Sequence, residues 1–179
     1  MIRVRLGHSI CIGAIAAIVL TAHISAAGPR VPEAQSPFAR VYLALRGCTS
    51  CSHCRTTIRQ MARAGSNGGE ARVTSDAVEV RYAKPQVVPL RDVIRRLAEN
   101  RLHDLTLIDV LFEADGTIAT TSAGATTFTL KGTGQSFPLN LASVPRPGGG
   151  APVRLIAAVE GWREKGALTL VARQVHSAT

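Results

Sequence analysis

Between Val41 and Met61 the spacing of apolar residues changes from every second position to every third and fourth, and the change falls across a run of cysteines. Val41, Leu43 and Leu45 alternate with Tyr42, Ala44 and Arg46, the period of a short strand with one buried face. Cys54, Ile58 and Met61 then recur at i, i+4 and i+7, one face of a helix. The stretch Gly47-Cys48-Thr49-Ser50-Cys51-Ser52-His53-Cys54 is therefore a strand-to-helix loop, with Cys54 in the first helical turn. Free backbone N–H groups and the dipole at a helix start stabilise an adjacent anion and favour thiolate over thiol. Thiolates spaced so closely bind a soft metal or exchange a disulfide.

The pattern continues with a glycine-rich stop at Gly65–Gly69, then strands over Glu70–Ser75 and Ala77–Ala83 that turn at Asp76. Pro89 opens a second helix marked by Leu90, Val93, Ile94 and Leu97; His103-Asp104 ends it, and Leu105–Phe112 is an apolar strand. Strand, helix, strand, strand, helix, strand predicts an α+β fold, with a ferredoxin-like βαββαβ domain over residues 39–112. Strand-like runs follow at 117–122, 126–132, 136–141, 153–162 and 167–175, separated by turns that include Asp115-Gly116 and Lys165-Gly166. They predict a small all-β, OB-like barrel or sandwich domain over 113–179. Its single tryptophan, Trp162, reads as packing within that domain.

Residues 1–27 have the layout of a secretory signal peptide: Arg3 and Arg5, an apolar stretch from Ile10 to Ala22, and small residues before Gly28. Residues 28–38 are a proline-rich linker. The chain is expected to be exported, periplasmic or otherwise extracytoplasmic, with an uncleaved signal as a second way of holding it at the membrane. The chain's formal charge of +9 falls to +7 without the two arginines of the signal, which suits an acidic partner or anionic lipid. Aromatic residues are 4%, too few to offer stacking platforms, so nucleic acid is not an expected partner. Beyond Cys11 in the signal, the cysteines number three, an odd set that favours a metal site or a reactive thiol over a structural disulfide framework. No serine nucleophile motif, carboxylate pair or phosphate-cradling loop is present, so no catalysis is expected.

Cys51-Ser-His-Cys54, its place between strand and helix, and the leading Gly47 resemble the metal loop of the heavy-metal-associated domains found in copper chaperones, copper-transporting ATPases and the periplasmic mercury-binding protein. The likeness covers residues 39–112; the loop methionine usual in that family is missing and Cys48 is an addition. The resemblance implies that Cys51 and Cys54 bind Cu(I), with Hg(II) next and Ag(I) or Zn(II) accepted by the same soft donors. It also implies delivery to a metal-transporting membrane protein or another metal-binding protein, and allows a metal-bridged dimer. Cys48 is a candidate third thiolate, which would convert a two-coordinate site to a trigonal one. His53, between the paired cysteines, and His103, at the end of the second helix, are further ligand candidates. Arg55, Arg59 and Arg63 recur every four residues from the loop and could dock an acidic partner. Two rival readings use the same residues: a thiol–disulfide redox protein, and an interaction module whose site has degenerated.

Overall fold

A computed structural model describes residues 38–100, 102, 104–141, 144–145 and 150–178. The expected signal peptide and the linker up to residue 37 lie outside the described residues. In chain order the elements are β1 (Ala39–Arg46), α1 (Ser52–Ser66), β2 (Glu70–Val73), β3 (Ala77–Tyr82), α2 (Leu90–Ala98), β4 (Thr106–Thr120), β5 (Thr126–Leu130), β6 (Ser136–Asn140), β7 (Pro152–Glu160) and β8 (Thr169–Ser177).

The molecule is organised on β4, a strand of 15 residues. Its residues 106–114 pair with β1 and its residues 111–117 with β7, so β1 and β7 occupy opposite edges. Residues 116–120 pair with β5 while 116 and 117 still hold β7, so β5 follows β1 end to end along one edge. Beyond β1 the sheet continues through β3 to β2, and beyond β5 through β6 and β8 back to β7. The second path closes a five-stranded barrel, β4-β5-β6-β8-β7, of which only the short β6–β8 contact is parallel.

This architecture corrects the expected fold class. The chain is a mostly-β structure with two helices among the described residues, in one eight-stranded sheet that closes into a barrel, and not a ferredoxin-like βαββαβ domain followed by a separate OB-like one. The misreading lies at Asp115-Gly116, which the sequence presents as a turn. Both residues are in mid-strand: Asp115 pairs with Arg154, and Gly116 with Val153 and Leu130. Glycine is required there because the Thr129 carbonyl and the Phe128 ring, 2.6 Å away, occupy the space of a Cβ. The run expected at 117–122 is thus the far end of β4, and position 112/113 falls inside a continuous strand. A second tie crosses the same region. Gln135, in the β5–β6 turn, receives a bond from the Val88 N–H at 2.8 Å and returns one to the Val88 carbonyl at 2.9 Å, pinning the approach to α2 against the barrel.

One face of the sheet carries the core. Val41, Leu43, Val78, Val80 and Val110 are fully buried, as are Ile58 of α1 and Val93 and Leu97 of α2, and the same face of β4 continues through Phe112 into the barrel. There Phe112 meets Phe137 at 5.5 Å and Phe128 at 6.5 Å, the latter edge to face. The opposite face carries alternating charge. Arg81 pairs with Glu79 at 2.7 Å, Arg40 lies between Glu79 and Glu113, and Arg154 bridges Glu113 and Asp115 at 2.7 and 2.9 Å. A register shift opposite Ala44 and Leu45 marks a bulge in β4 that turns Ile108 outward.

Candidate metal centre

The cysteine loop is fastened at three points. Gly47 has φ of +119°, and a Cβ there would overlap the carbonyl of Asp104, so only glycine allows the end of β1 to lie against the α2–β4 connection. Thr49 is 4% exposed in the middle of an otherwise open loop, and its hydroxyl donates to the Ser75 carbonyl in the β2–β3 turn. Leu45 reaches the same turn, its N–H donating to the Asp76 carbonyl at 2.7 Å. Cys51 closes the loop as the N-cap of α1: its backbone is extended, and its Sγ accepts from the Cys54 N–H at 3.0 Å. A sulfur thus takes the capping place more often held by an oxygen of Ser, Thr or Asp.

These fastenings bring the Sγ atoms of Cys48, Cys51 and Cys54 within 4.8 Å of one another. The Cys54 thiol donates to the Cys48 sulfur across 3.4 Å. That bond, followed by one from the Cys51 backbone N–H, holds the Cys48 thiol below its ordinary value. Cys54 moves the other way, pushed up to about 12 by its bonds to Cys51 and Cys48, which the protonated form donates and the thiolate cannot. The contact between the two sulfurs thus favours the thiolate form at Cys48 relative to Cys54. Three sulfurs sharing an ion at a metal–sulfur bond of about 2.3 Å stand about 4 Å apart in trigonal or tetrahedral geometry. Separations of 3.4 Å and up to 4.8 Å bracket that value, so the triad could hold a soft metal ion. Cys48 and Cys51 are exposed and Cys54 is half-buried against the core, which leaves the cluster open to an approaching ligand.

The other expected site residues are placed differently. His53 is exposed on the first turn of α1, and no histidine joins the sulfur cluster among the described residues. His103 lies outside the described residues. Arg55 donates to the Val73 carbonyl at 3.2 Å and so ties α1 to the edge strand β2; Arg59 is half-buried, and Arg63 is exposed in the last turn of α1. Sequence reasoning missed Thr49, whose buried hydroxyl no local pattern announces. It also missed the role of Asp104, which contributes its backbone alone. The glycine directly before a cysteine loop was the one readable signal for a positive φ.

Comparison with protein-family models, with curated proteins and with solved structures finds no match, and nothing in it assigns the chain to the heavy-metal-associated family. Among the described residues no helix is long and apolar enough to cross a membrane.

Proposed function

We propose that this protein binds a soft metal ion, Cu(I) before Hg(II), through the thiolates of Cys48, Cys51 and Cys54, and passes it to a partner's thiolates. The clustering of the three sulfurs within 4.8 Å carries the reading. Supporting it, Cys48 and Cys51 are exposed, so an incoming thiolate can reach the ion and share it before the outgoing ligands release it. Soft sulfur donors select Cu(I) and Hg(II) over hard cations. Cys48 belongs to the ligand set on this reading, because its sulfur is in direct contact with that of Cys54. The role is non-enzymatic, and an extracytoplasmic setting with a metal-transporting membrane protein as recipient accords with the leader-like residues 1–27.

The test is anaerobic competition of the reduced protein against a chromophoric Cu(I) chelator, with Cys48→Ser, Cys51→Ser and Cys54→Ser variants beside it. One equivalent bound by the wild type and weakened by all three variants supports a three-thiolate site. Unchanged binding in Cys48→Ser reduces the site to two ligands, and absence of both Cu(I) and Hg(II) binding overturns the reading.

The 3.4 Å contact favours one second reading, thiol–disulfide exchange with Cys48 and Cys54 as the pair in place of Cys51 and Cys54. An attacking Cys48 thiolate would open a substrate disulfide, and the Cys54 thiol, once deprotonated, would release the product thiol and close the protein disulfide. Peptide mapping after mild oxidation by a small disulfide distinguishes it: the reading requires a Cys48–Cys54 bond and a free Cys51.

A further inference from the structure

The connection between β7 and β8 folds back onto α2 and encloses a space unrelated to the cysteines. Its neck closes at Gly161, with φ of +73° and the Ala167 carbonyl 2.7 Å from where a Cβ would stand. Arg91 of α2 straps it down, donating to the Glu164 carbonyl at 3.3 Å and to the Gly166 carbonyl. Beneath the strap lies a cavity of about 470 Å³, within the size of small-molecule sites.

The walls of this cavity differ in character from its rim. Ile94, Ala98, Trp162 and Leu168 give it an apolar floor, and Trp162 and Leu168 rest half-buried against the core. The Arg163 guanidinium lies 4.2 Å over the Trp162 ring and donates to the Ile108 carbonyl at 3.1 Å, which fixes both side chains. Lys165 completes the rim with Arg91 and Arg163. Arg95, also on the rim, is paired with Asp92 at 2.9 Å. Arg91 and Arg163 bond to carbonyl oxygens, and neither they nor Lys165 form an ion pair among the described residues. Glu99 and Glu164 line the same space but pair with none of these three cations, so positive charge is in excess by one around an aromatic and aliphatic floor.

We propose that this cavity binds a small amphipathic carboxylate, its apolar body on Trp162 and Leu168 and its carboxylate on Arg163 and Lys165. A neutral lipid would leave that excess positive charge unanswered. A dianion such as a phosphate ester would meet Glu99 and Glu164, which also line the space. A monoanion satisfies both constraints, and guanidinium and ammonium groups bond carboxylate oxygens well.

Trp162 is the sole tryptophan of the chain, so its emission reports on the β7–β8 connection that walls the cavity. The full chain is titrated with decanoate, decanol, acetate and decyl phosphate, following Trp162 emission and confirming occupancy by equilibrium dialysis. Decanoate binds saturably, and each of the other three binds at least about tenfold more weakly, the worth of one charge-assisted bond or of the apolar contact. Lys165→Glu weakens decanoate by the same factor or more. Ala98→Phe, which fills the space from an exposed helix position, removes saturation while leaving the urea midpoint where it was. Decanol binding as tightly as decanoate, decyl phosphate binding more tightly, or retention of decanoate by Lys165→Glu would each overturn the assignment, as would the absence of saturable binding. None of these outcomes depends on the cysteines or on a metal.

Discussion

Phe112 is where the helix-covered sheet and the barrel are one object, and truncating it tests that unity. The residue is fully buried. Its backbone pairs with Val41 of β1 on one side and Ala157 of β7 on the other, and its ring touches Phe128 of β5 and Phe137 of β6. Phe112→Ala removes those ring contacts and leaves a cavity that the surrounding strands, held in register on both sides, cannot collapse to fill. Such truncations cost about 3–5 kcal/mol. With a urea dependence of about 2 kcal/mol per molar, the unfolding midpoint falls by roughly 2 M. Two probes follow the transition: helical ellipticity, which reports α1 and α2, and Trp162 emission, which reports the barrel end at the β7–β8 connection. Because β4 is common to both regions, the two curves superimpose in the wild type and shift together in the variant, as a two-state unit requires. A variant whose Trp162 transition moves while the ellipticity midpoint stays in place would refute the single-unit architecture and restore two independent domains.

Thr49→Val keeps the shape of the side chain but removes the bond to the Ser75 carbonyl, which sits in an exposed turn and can rehydrate. The expected loss is about 1 kcal/mol, seen as a thermal midpoint lower by about 3 °C together with weaker Cu(I) retention; if neither changes, Thr49 does not anchor the loop. Gly47→Ala forces a Cβ onto the Asp104 carbonyl at a positive φ and should cost roughly 1–3 kcal/mol, with a larger fall in Cu(I) affinity than Thr49→Val causes in the same chelator competition. Glu79 is 7% exposed; burial pushes its carboxyl up, but the bond from Arg81 and the charges of Arg81 and Arg40 more than reverse this and hold it below its ordinary value. The folded form therefore favours the ionised carboxylate, and its stabilisation is present above the ordinary carboxylate range and lost as pH falls through the lower folded value. Glu79→Gln should cost about 2 kcal/mol at pH 7 and flatten the acid limb of the stability profile, measured by urea midpoints from pH 7 to pH 3; an acid limb identical to wild type would remove Glu79 as its source.

The positions of individual elements were legible because their apolar periods are clean. Val41, Leu43 and Leu45 sit on the buried face of β1, and Leu90, Val93, Ile94 and Leu97 on that of α2, each as the spacing implies. What those elements assemble into was not legible. A glycine after an aspartate usually marks a turn, and the reason for Gly116 lies in a carbonyl and a ring contributed by β5, distant in sequence. Pairing of β4 with β7 over residues 111–117 joins segments about forty positions apart, and no local pattern encodes which edge of β4 a later strand will take. The charged ladder of Arg81, Glu79, Arg40, Glu113 and Arg154 was invisible for the same cause, since each member reads alone as a solvated strand residue. At the site, the cysteines announced themselves by spacing. Arg55 did not, because its period-four recurrence with Arg59 and Arg63 suggested a free face while its guanidinium holds the Val73 carbonyl.

The cysteine loop is held from two sides: Thr49 and Leu45 bond the carbonyls of Ser75 and Asp76 in the β2–β3 turn, and Cys51 caps α1. At Gly47 the loop backbone also runs close against the Asp104 carbonyl, with no room for a Cβ between them. Asp104 leads into β4, whose residues 116 and 117 pair with β5 and β7 at once. A loop tied in this way incurs less ordering cost on binding an ion than a free segment spanning residues 48–54 would. Its outer side is nevertheless open, with Cys48 and Cys51 exposed. Preorganised ligands raise affinity, and open access keeps exchange with another thiolate fast. On the proposed reading, a site that combines both would take up a metal and still surrender it to a partner's thiolates.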